Sequence, residues 1–460
     1  QDRPMTNEPS MNVATRRRMV VFWLASATSF FLYLHRYTWN VIRPELQQEY
    51  GFSNTTLEAL GTTFYATYAF GSIPAGIAAD YFGPQMVLML MILAWSVVLP
   101  FHGVTGNVWG LGTVRLFFGA AQTGAYPALG QVTRSWFPRS SRTRIQGWIA
   151  SFFGRGGGAM SSVVMATILM GYLGFSWRMA LIIISVPGLL FAIVFYRMFR
   201  NSPREDSLAN ELECELIEQG GATGKGTRSL LSTRAALKNG SLRVMVVVMF
   251  LTAGADVVYT LIMGSFFVSL GVEDMKNLGW MVSLPLIGGA FGGIFGGILN
   301  DWLILHVGNR WGRPLVGVCG KLLAALSLYV SISQPTAERV ALGLFLVKFF
   351  SDWTQPTVWG TATDLGGRFS ATVFSIINMA GNIGGLLMPL VFGPLLDYFA
   401  TRQTVDGEVT IVTNFTPMFI VVGAFYIAAG IGWLFVDCRE SLDSVEAPSS
   451  DVVAGSTEKH

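Results

Sequence analysis

The chain has 460 residues, of which 52% are hydrophobic and only 13% charged, with a formal net charge of +3 and a mean hydropathy of +0.49. Soluble domains carry about 25% charged residues, so this composition excludes an ordinary soluble enzyme and points to a membrane protein. The near-neutral balance, with no basic stripe, gives no footprint for nucleic acid.

Taken in chain order, Arg16–Arg18 precede the first apolar run, MVVFWLASATSFFLYLHRYTW. The run is too long for a signal peptide and lacks a small-residue cleavage site, which predicts a retained membrane helix. A bilayer crossing takes about 20 helical residues. On that basis twelve spans are predicted at 19–40, 56–78, 84–102, 107–131, 145–170, 178–199, 242–270, 278–300, 314–333, 339–361, 370–396 and 415–437. The segment 200–241 divides them into six (19–199) and six (242–437), with a short N-terminal segment 1–18 and a tail 438–460. Polar and glycine-rich, 200–241 reads as a surface tether with an amphipathic helix at NELECELIEQ; the tail composition predicts disorder.

Basic residues collect on alternate connections: Arg16–Arg18, then Arg134, Arg139, Arg142 and Arg144, then the run from Arg197 to Arg243, then Arg310 and Arg313. The opposite connections are short, or acidic where Glu45, Glu49 and Glu58 fall. The bias places both termini in the cytoplasm and the chain in the cell (inner) membrane. Cys214, Cys319 and Cys438 stand apart, as ordinary thiols do. His35, His102, His306 and His460 form no metal-ligand or nucleophile–base spacing, so neither metal, cofactor nor enzymatic activity is expected.

Ionisable residues at membrane depth are costly and mark functional pathways. Arg36 with His35 falls in span 1, Arg115 in span 4, Asp256 in span 7, and Lys348 with Asp352 in span 10. Lys321 in span 9 is the exception and is expected to snorkel to the interface. Arg36 and Arg115 have no acid nearby in sequence, and two guanidinium forks suit a bound anion. Lys348 and Asp352 share a helical face and either neutralise one another or take part in coupling. Asp256 is open to two readings, a coupling-ion site or a hydrogen bonder on a cavity wall.

Two stretches repeat: Gly76 to Asp80 with Gly83 following span 2, and Gly297 to Asp301 with Arg310 and Arg313 following span 8. Glycine allows close helix approach, and the aspartate can accept from a neighbouring helix terminus. The pair resembles the inter-helix loop signature of the major facilitator superfamily, although Tyr81 and Gln85 stand where that motif is usually basic. The resemblance implies an all-α membrane protein of twelve transmembrane helices in two pseudo-symmetric six-helix bundles. It also implies a conformational role for Gly76, Asp80, Gly83, Gly297, Asp301 and Arg313. In such a fold the first helix of each three-helix repeat (spans 1, 4, 7 and 10) lines the cavity.

From Arg115 the block RLFFGAAQTGAYPALGQVTRSWFPRSSRTRIQGWIASFFGRGGGAM is similar to the anion:cation symporter branch of that superfamily, as are Trp177-Arg178 and TDLGGRFSATVFSIINMAGNIGGLLMPLVFGPLLD at 363–397. The resemblance implies a secondary transporter of organic anions, with sugar acids such as hexonates or hexuronates foremost. Arg36 and Arg115 match the branch's two substrate-side arginines. Asn382 matches a polar residue that contacts sugar acids in some members; Asn378 lies one turn away, and Tyr37 and Tyr68 could add hydroxyls. All four could equally pack helix to helix. Proton-coupled members carry an acid just before the first arginine and a glutamate seven residues after the second; this chain has His35 and Gln122. Glutamine does not titrate, whereas an unperturbed histidine does so near about 6.5. Coupling through H+ (His35, Asp256 or Asp352) or Na+, exchange, and uniport therefore stay open, beside a non-transporting anion sensor. The expected partners are a small organic anion, the lipid bilayer and any coupling ion, with the chain a monomer.

Overall fold

The computed structural model describes residues 13–71, 74, 75, 78, 79, 82–138, 142–219, 238–366, 370–405 and 408–438. Gly76, Asp80, Tyr81 and Arg139, residues 220–237 of the tether and the tail beyond Cys438 lie outside them. Twelve helical spans follow in order. Span 1 is Arg17–Arg36 continued by Thr38–Tyr50, span 2 Asn54–Phe70, span 3 Pro84–Val98, and span 4 Val108–Gln122 continued by Ala125–Trp136. Span 5 runs from Arg142–Gly147 through π-helical Trp148–Phe153, α-helical Gly154–Ser162 and π-helical Val163–Tyr172; span 6 is Trp177–Met198. Span 7 comprises Gly240–Asp256, Val258–Leu261 and Met263–Ser269, span 8 Met275–Val307 and span 9 Asn309–Ile332. Span 10 is Ala337–Ser351 with Thr354–Gly366, span 11 Ser370–Tyr398 and span 12 Thr416–Trp433. Among the described residues the one sheet is a hairpin between spans 11 and 12, in which β1 Ala400–Val405 pairs antiparallel with β2 Glu408–Thr413.

Helix starts follow local chemistry. The side chains of Ser53, Asn107, Ser176 and Asn239 accept from the backbone N–H groups of Thr56, Gly110, Met179 and Leu242, opening spans 2, 4, 6 and 7. Among the described residues seven helices are long and apolar enough to cross a membrane, the most apolar being Trp177–Met198 at mean hydropathy 2.5. Spans 1, 4, 7 and 10 are all interrupted partway. The first segments of spans 1, 4 and 7 end on Arg36, Gln122 and Asp256, and Asp352 caps the first segment of span 10. Hydroxyls re-satisfy backbone carbonyls freed at the breaks: Thr38 Oγ1 donates to His35 O at 2.8 Å and Thr354 Oγ1 to Ser351 O at 2.8 Å. One turn-and-break device thus sits at the same place in each three-helix repeat.

Spans 1–6 and 7–12 meet where glycine removes the side chain. Gly264 packs against the Asn40 carbonyl, Gly279 against Ser162 and Thr167, and Gly393 against the Thr55 backbone. Those contacts lie toward the face opposite the start of span 1, here called distal. The distal seam is also hydrogen-bonded. Asn40 Nδ2 donates to Tyr259 O at 2.7 Å, and Asp397 accepts from the N–H groups of Asn54 and Thr55 at 2.9 Å each. Arg43 forms a buried pair with Glu58 at 2.9 Å and donates to Leu261 O at 3.3 Å. Glu58, counted as part of an acidic loop in the sequence, is therefore a buried partner inside span 2.

The tether begins as a docked element. Helix Glu211–Gln219 forms at NELECELIEQ, and buried Glu213 accepts from Arg17 N and Arg18 N at 2.9 Å each and from Thr15 Oγ1 at 2.6 Å, capping span 1 from outside. Arg17 Nε reaches Asp206 at 2.6 Å. Lys321, expected to snorkel, does not: it is fully buried, its ammonium donating to Ser351 Oγ at 2.8 Å and Ser351 O at 3.3 Å. The interruption of span 10 offers it that carbonyl, a nearer partner than the interface.

Candidate anion-binding site

The site is built from span 1 outward. Tyr33, Arg36 and Tyr37, at i, i+3 and i+4, share one face and look into a cavity of about 200 Å³ between the halves. Tyr65, Arg155, Thr252, Asp256, Thr260, Gln355, Asn378 and Asn382 complete its polar lining. Six spans contribute: 1, 2, 5, 7, 10 and 11.

Arg36 is 7% exposed and held from several sides. Its Nε donates to Gln122 Oε1 at 3.0 Å, and Gln122 Nε2 donates to Leu32 O at 3.2 Å, which fixes the amide. The guanidinium carbon lies 4.5 Å from the Tyr68 ring centre and 5.1 Å from those of Tyr33 and Phe64. Ring faces attract the cation without neutralising it. Its Nη2 is buried with no hydrogen-bond partner among the described residues. A buried, unpaired guanidinium donor at a cavity is an unmet demand for an acceptor.

Arg115 lies one layer back. It is 3% exposed, donates to Leu60 O at 3.3 Å, stacks on Trp39 at 4.2 Å and on Phe64 at 4.9 Å, and is absent from the cavity lining. The Phe64 ring thus touches both arginines and keeps them from meeting in the cavity. His35 points the other way, with Nε2 at 3.0 Å from Ile184 O in a fully buried contact with span 6. Tyr68 stands on Arg36 behind the lining, while Tyr37, Asn378 and Asn382 are in it. Tyr37 OH also receives Thr260 Oγ1 at 3.1 Å, tying span 1 to span 7.

Opposite Arg36 is a charged cluster. Lys348 Nζ bonds Asp256 Oδ2 at 2.7 Å and Asp352 Oδ1 at 2.8 Å, and Tyr426 OH donates to Asp256 Oδ1 at 2.7 Å. The expected Lys348–Asp352 pairing is thus present but shared with Asp256, whose side chain alone of the three lines the cavity. Arg155, on span 5, completes the cluster across the half-to-half seam, with Nε at 3.0 Å from Asp352 Oδ2 and Nη2 at 4.0 Å from Asp256 Oδ2. Confining the deep charges to spans 1, 4, 7 and 10, with Lys321 the exception, overlooked Arg155 inside GRGGG. The signal was available: an arginine deep in span 5 with no acid near it in sequence. Tyr33 and Tyr65 were overlooked because an aromatic in a membrane helix does not announce which face it occupies.

The loop-motif residues divide. Gly83 caps span 3 at φ +81° against Asn201, whose Oδ1 accepts from Gln85 N at 2.9 Å. A side chain at Gly297 would meet Pro356 at ordinary van der Waals distance, so no close helix approach requires the glycine there. Asp301 is exposed and receives Asn300 Nδ2 at 3.1 Å, while Arg313 pairs with Asp364 of span 10 at 2.7 Å.

The family model described as Major Facilitator Superfamily matches residues 25–389. Relatives include a "Probable sulfoacetate transporter" of Cupriavidus necator, 26% identical over 447 residues and covering 96% of this chain and 99% of that protein. The "Probable galactarate/D-glucarate transporter" of Bacillus subtilis is 24% identical over 447 residues, covering 93% of each. Among solved structures, a bacterial homologue of the human lysosomal transporter Spinster, inward-facing and unoccupied, superposes with TM-score 0.68 at 16% identity over 92% of this chain and 95% of its own. The nucleoside transporter NupG gives TM-score 0.66 at 13% identity over 90% and 99%. A continuous family match, twelve helical spans and a polar cavity between two halves agree: the chain is a multi-pass membrane protein and a member of the major facilitator superfamily.

Proposed function

We propose that the protein is a secondary transporter of small organic anions, sugar acids and related carboxylates, working by alternating access, with Arg36 as the substrate's anchor. The observation that carries this reading is Arg36 itself: a cation facing the cavity, oriented by Gln122 and three aromatic faces, with a buried donor left open. A guanidinium fork can bind a carboxylate through two parallel N–H donors, and the low polarity around the site strengthens that contact. Tyr33, Tyr37, Asn378 and Asn382 offer the hydroxyls and amides that a polyol chain would need. The names carried by the relatives, acids of two to six carbons, support the same class.

In this reading the cycle rocks spans 1–6 against spans 7–12. The present state is closed distally, so the anion exchanges with the face where span 1 begins. Positive charge on that face supports placing it in the cytoplasm and the chain in the cell (inner) membrane. Opening the distal seam while closing the other end would carry the anion across. Arg115 acts from behind Phe64, adding positive potential and reaching substrate only if the ring moves. Asp256 is the one carboxylate in the cavity lining among the described residues, so proton coupling, if present, runs through it; His35 is too deeply packed to take part.

Uptake of labelled hexonates, hexarates and sulfoacetate into sealed proteoliposomes tests the proposal. Wild-type protein should accumulate or equilibrate at least one of them, and Arg36→Ala should lower that uptake by about tenfold or more, the worth of one lost charge-assisted contact. Ligand binding without passage into the lumen would refute transport; undiminished uptake by Arg36→Ala would refute the anchor.

A further inference from the structure

Resting on that reading, the charge distribution around the cavity says more about the substrate. Arg155 and Lys348 pair with Asp256 and Asp352, and Lys321, hydrogen-bonded to Ser351, lies within electrostatic reach of the same two carboxylates, which leaves one positive charge over in that cluster. Arg36 adds a second, answered by an amide and ring faces and by no carboxylate among the described residues. Arg36 and Arg155 line the same cavity but share no hydrogen-bond partner, so the surplus is divided between two poles. A buried cation without compensation is expensive, and the least costly remedy is an anionic group on each pole when the carrier is loaded.

We infer that Arg155 is a second anion-recognition residue, and that together with Arg36 it selects substrates bearing two anionic groups over those bearing one. Its geometry suits the role. Nε and Nη2 are turned to Asp352, which fixes the plane of the guanidinium, while Nη1 has no protein partner among the described residues. The side chain is 16% exposed, open to the cavity, whereas that of Asp352 is 1% exposed behind it. An incoming carboxylate or sulfonate takes the free edge of Arg155 without displacing Asp352. Because Arg155 belongs to span 5 and its carboxylate partners to spans 7 and 10, the same event loads the seam between the halves. Arg36 and Arg155 both belong to spans 1–6, so the dianion is held by one half and is linked to the other through the pairs of Arg155 with Asp352 and Asp256.

The test uses matched anions on the full-length protein in proteoliposomes: galactarate against galactonate, and sulfoacetate against glycolate. The wild type should favour the dianion of at least one pair by roughly tenfold, one charge-assisted contact in the loaded state. Arg155→Gln should erase that preference, lowering the ratio of dianion to monoanion uptake about tenfold, and Arg155→Lys should restore part of it. Since Arg155→Gln removes the direct guanidinium contact of Asp352, the double variant Arg155→Gln with Asp352→Asn is run beside it and should show the same lost preference. Equal transport of both members of each pair by the wild type, or a preference that survives in both variants, overturns the inference while leaving anion transport standing. Uptake of none of the four removes the transport reading and the inference together.

Discussion

Asp397 is the sharpest test of which contacts hold the distal face shut. Its carboxylate, at the end of span 11, accepts from the backbone N–H groups of Asn54 and Thr55 at 2.9 Å each and from the Thr55 hydroxyl, so it caps span 2 from the other half of the molecule. Hydrogen bonds to a charged group contribute about 1.5–3 kcal/mol each when buried. Thr55 is exposed, and water recovers part of the loss, so Asp397→Ala should cost the distal-closed state about 2 kcal/mol in all. That is roughly a 30-fold shift toward opening. Ser265, buried under the seam on span 7, reports it. With exposed Cys319 replaced by serine and Ser265→Cys introduced, maleimide labelling from the distal side should accelerate by about 10–30-fold in Asp397→Ala. Glu58→Ala is the contrast. Its partner Arg43 lies in the same half, and breaking a buried pair costs about 3–5 kcal/mol, so it should mainly lower thermal stability. A labelling rate unchanged by Asp397→Ala would refute the assignment of the seam as the distal gate.

Three further expectations follow from individual contacts. Gln122→Glu puts a carboxylate at the present 3.0 Å contact with Arg36, so it should compete with substrate and raise the apparent KM for anion uptake about tenfold or more; an unchanged KM would mean that Arg36 does not bind the anion. Gly264→Ala places a methyl on the Asn40 carbonyl, which cannot yield as a flexible side chain can, and distal labelling at Ser265→Cys should again rise. Glu213→Ala removes the outside cap of span 1 and should cost about 2 kcal/mol of thermal stability in detergent with no change in substrate preference; a shifted preference would show that the tether reaches the cavity.

Runs of apolar residues about one bilayer long declare themselves by composition, which is why the number of spans could be read from the chain. Arg36 was equally legible, because a charge amid MVVFWLASATSFFLYLHRYTW has no local compensation. Neighbourhood was not. Arg115 looks equivalent to Arg36 along the chain, yet the Phe64 ring from span 2 stands between them and reserves the cavity for one. His35 adjoins Arg36 in sequence but lies about 100° around the helix and therefore packs on span 6. The interruptions at Arg36, Gln122, Asp256 and Asp352 carry no proline or consistent glycine signal and became visible only with the backbone traced.

The sequence by itself determined that the chain crosses a membrane many times, in two related halves, and that cations sit where they cannot be idle. Hydropathy and charge are properties of a segment and need no partner to be expressed. Only the tertiary structure decided which cation faces the cavity, that Arg155 from span 5 meets Asp256 and Asp352 from spans 7 and 10, and that Glu58 answers Arg43 rather than water. Those outcomes depend on helix rotation and on which helices become neighbours, and both are fixed by packing between residues far apart in the chain.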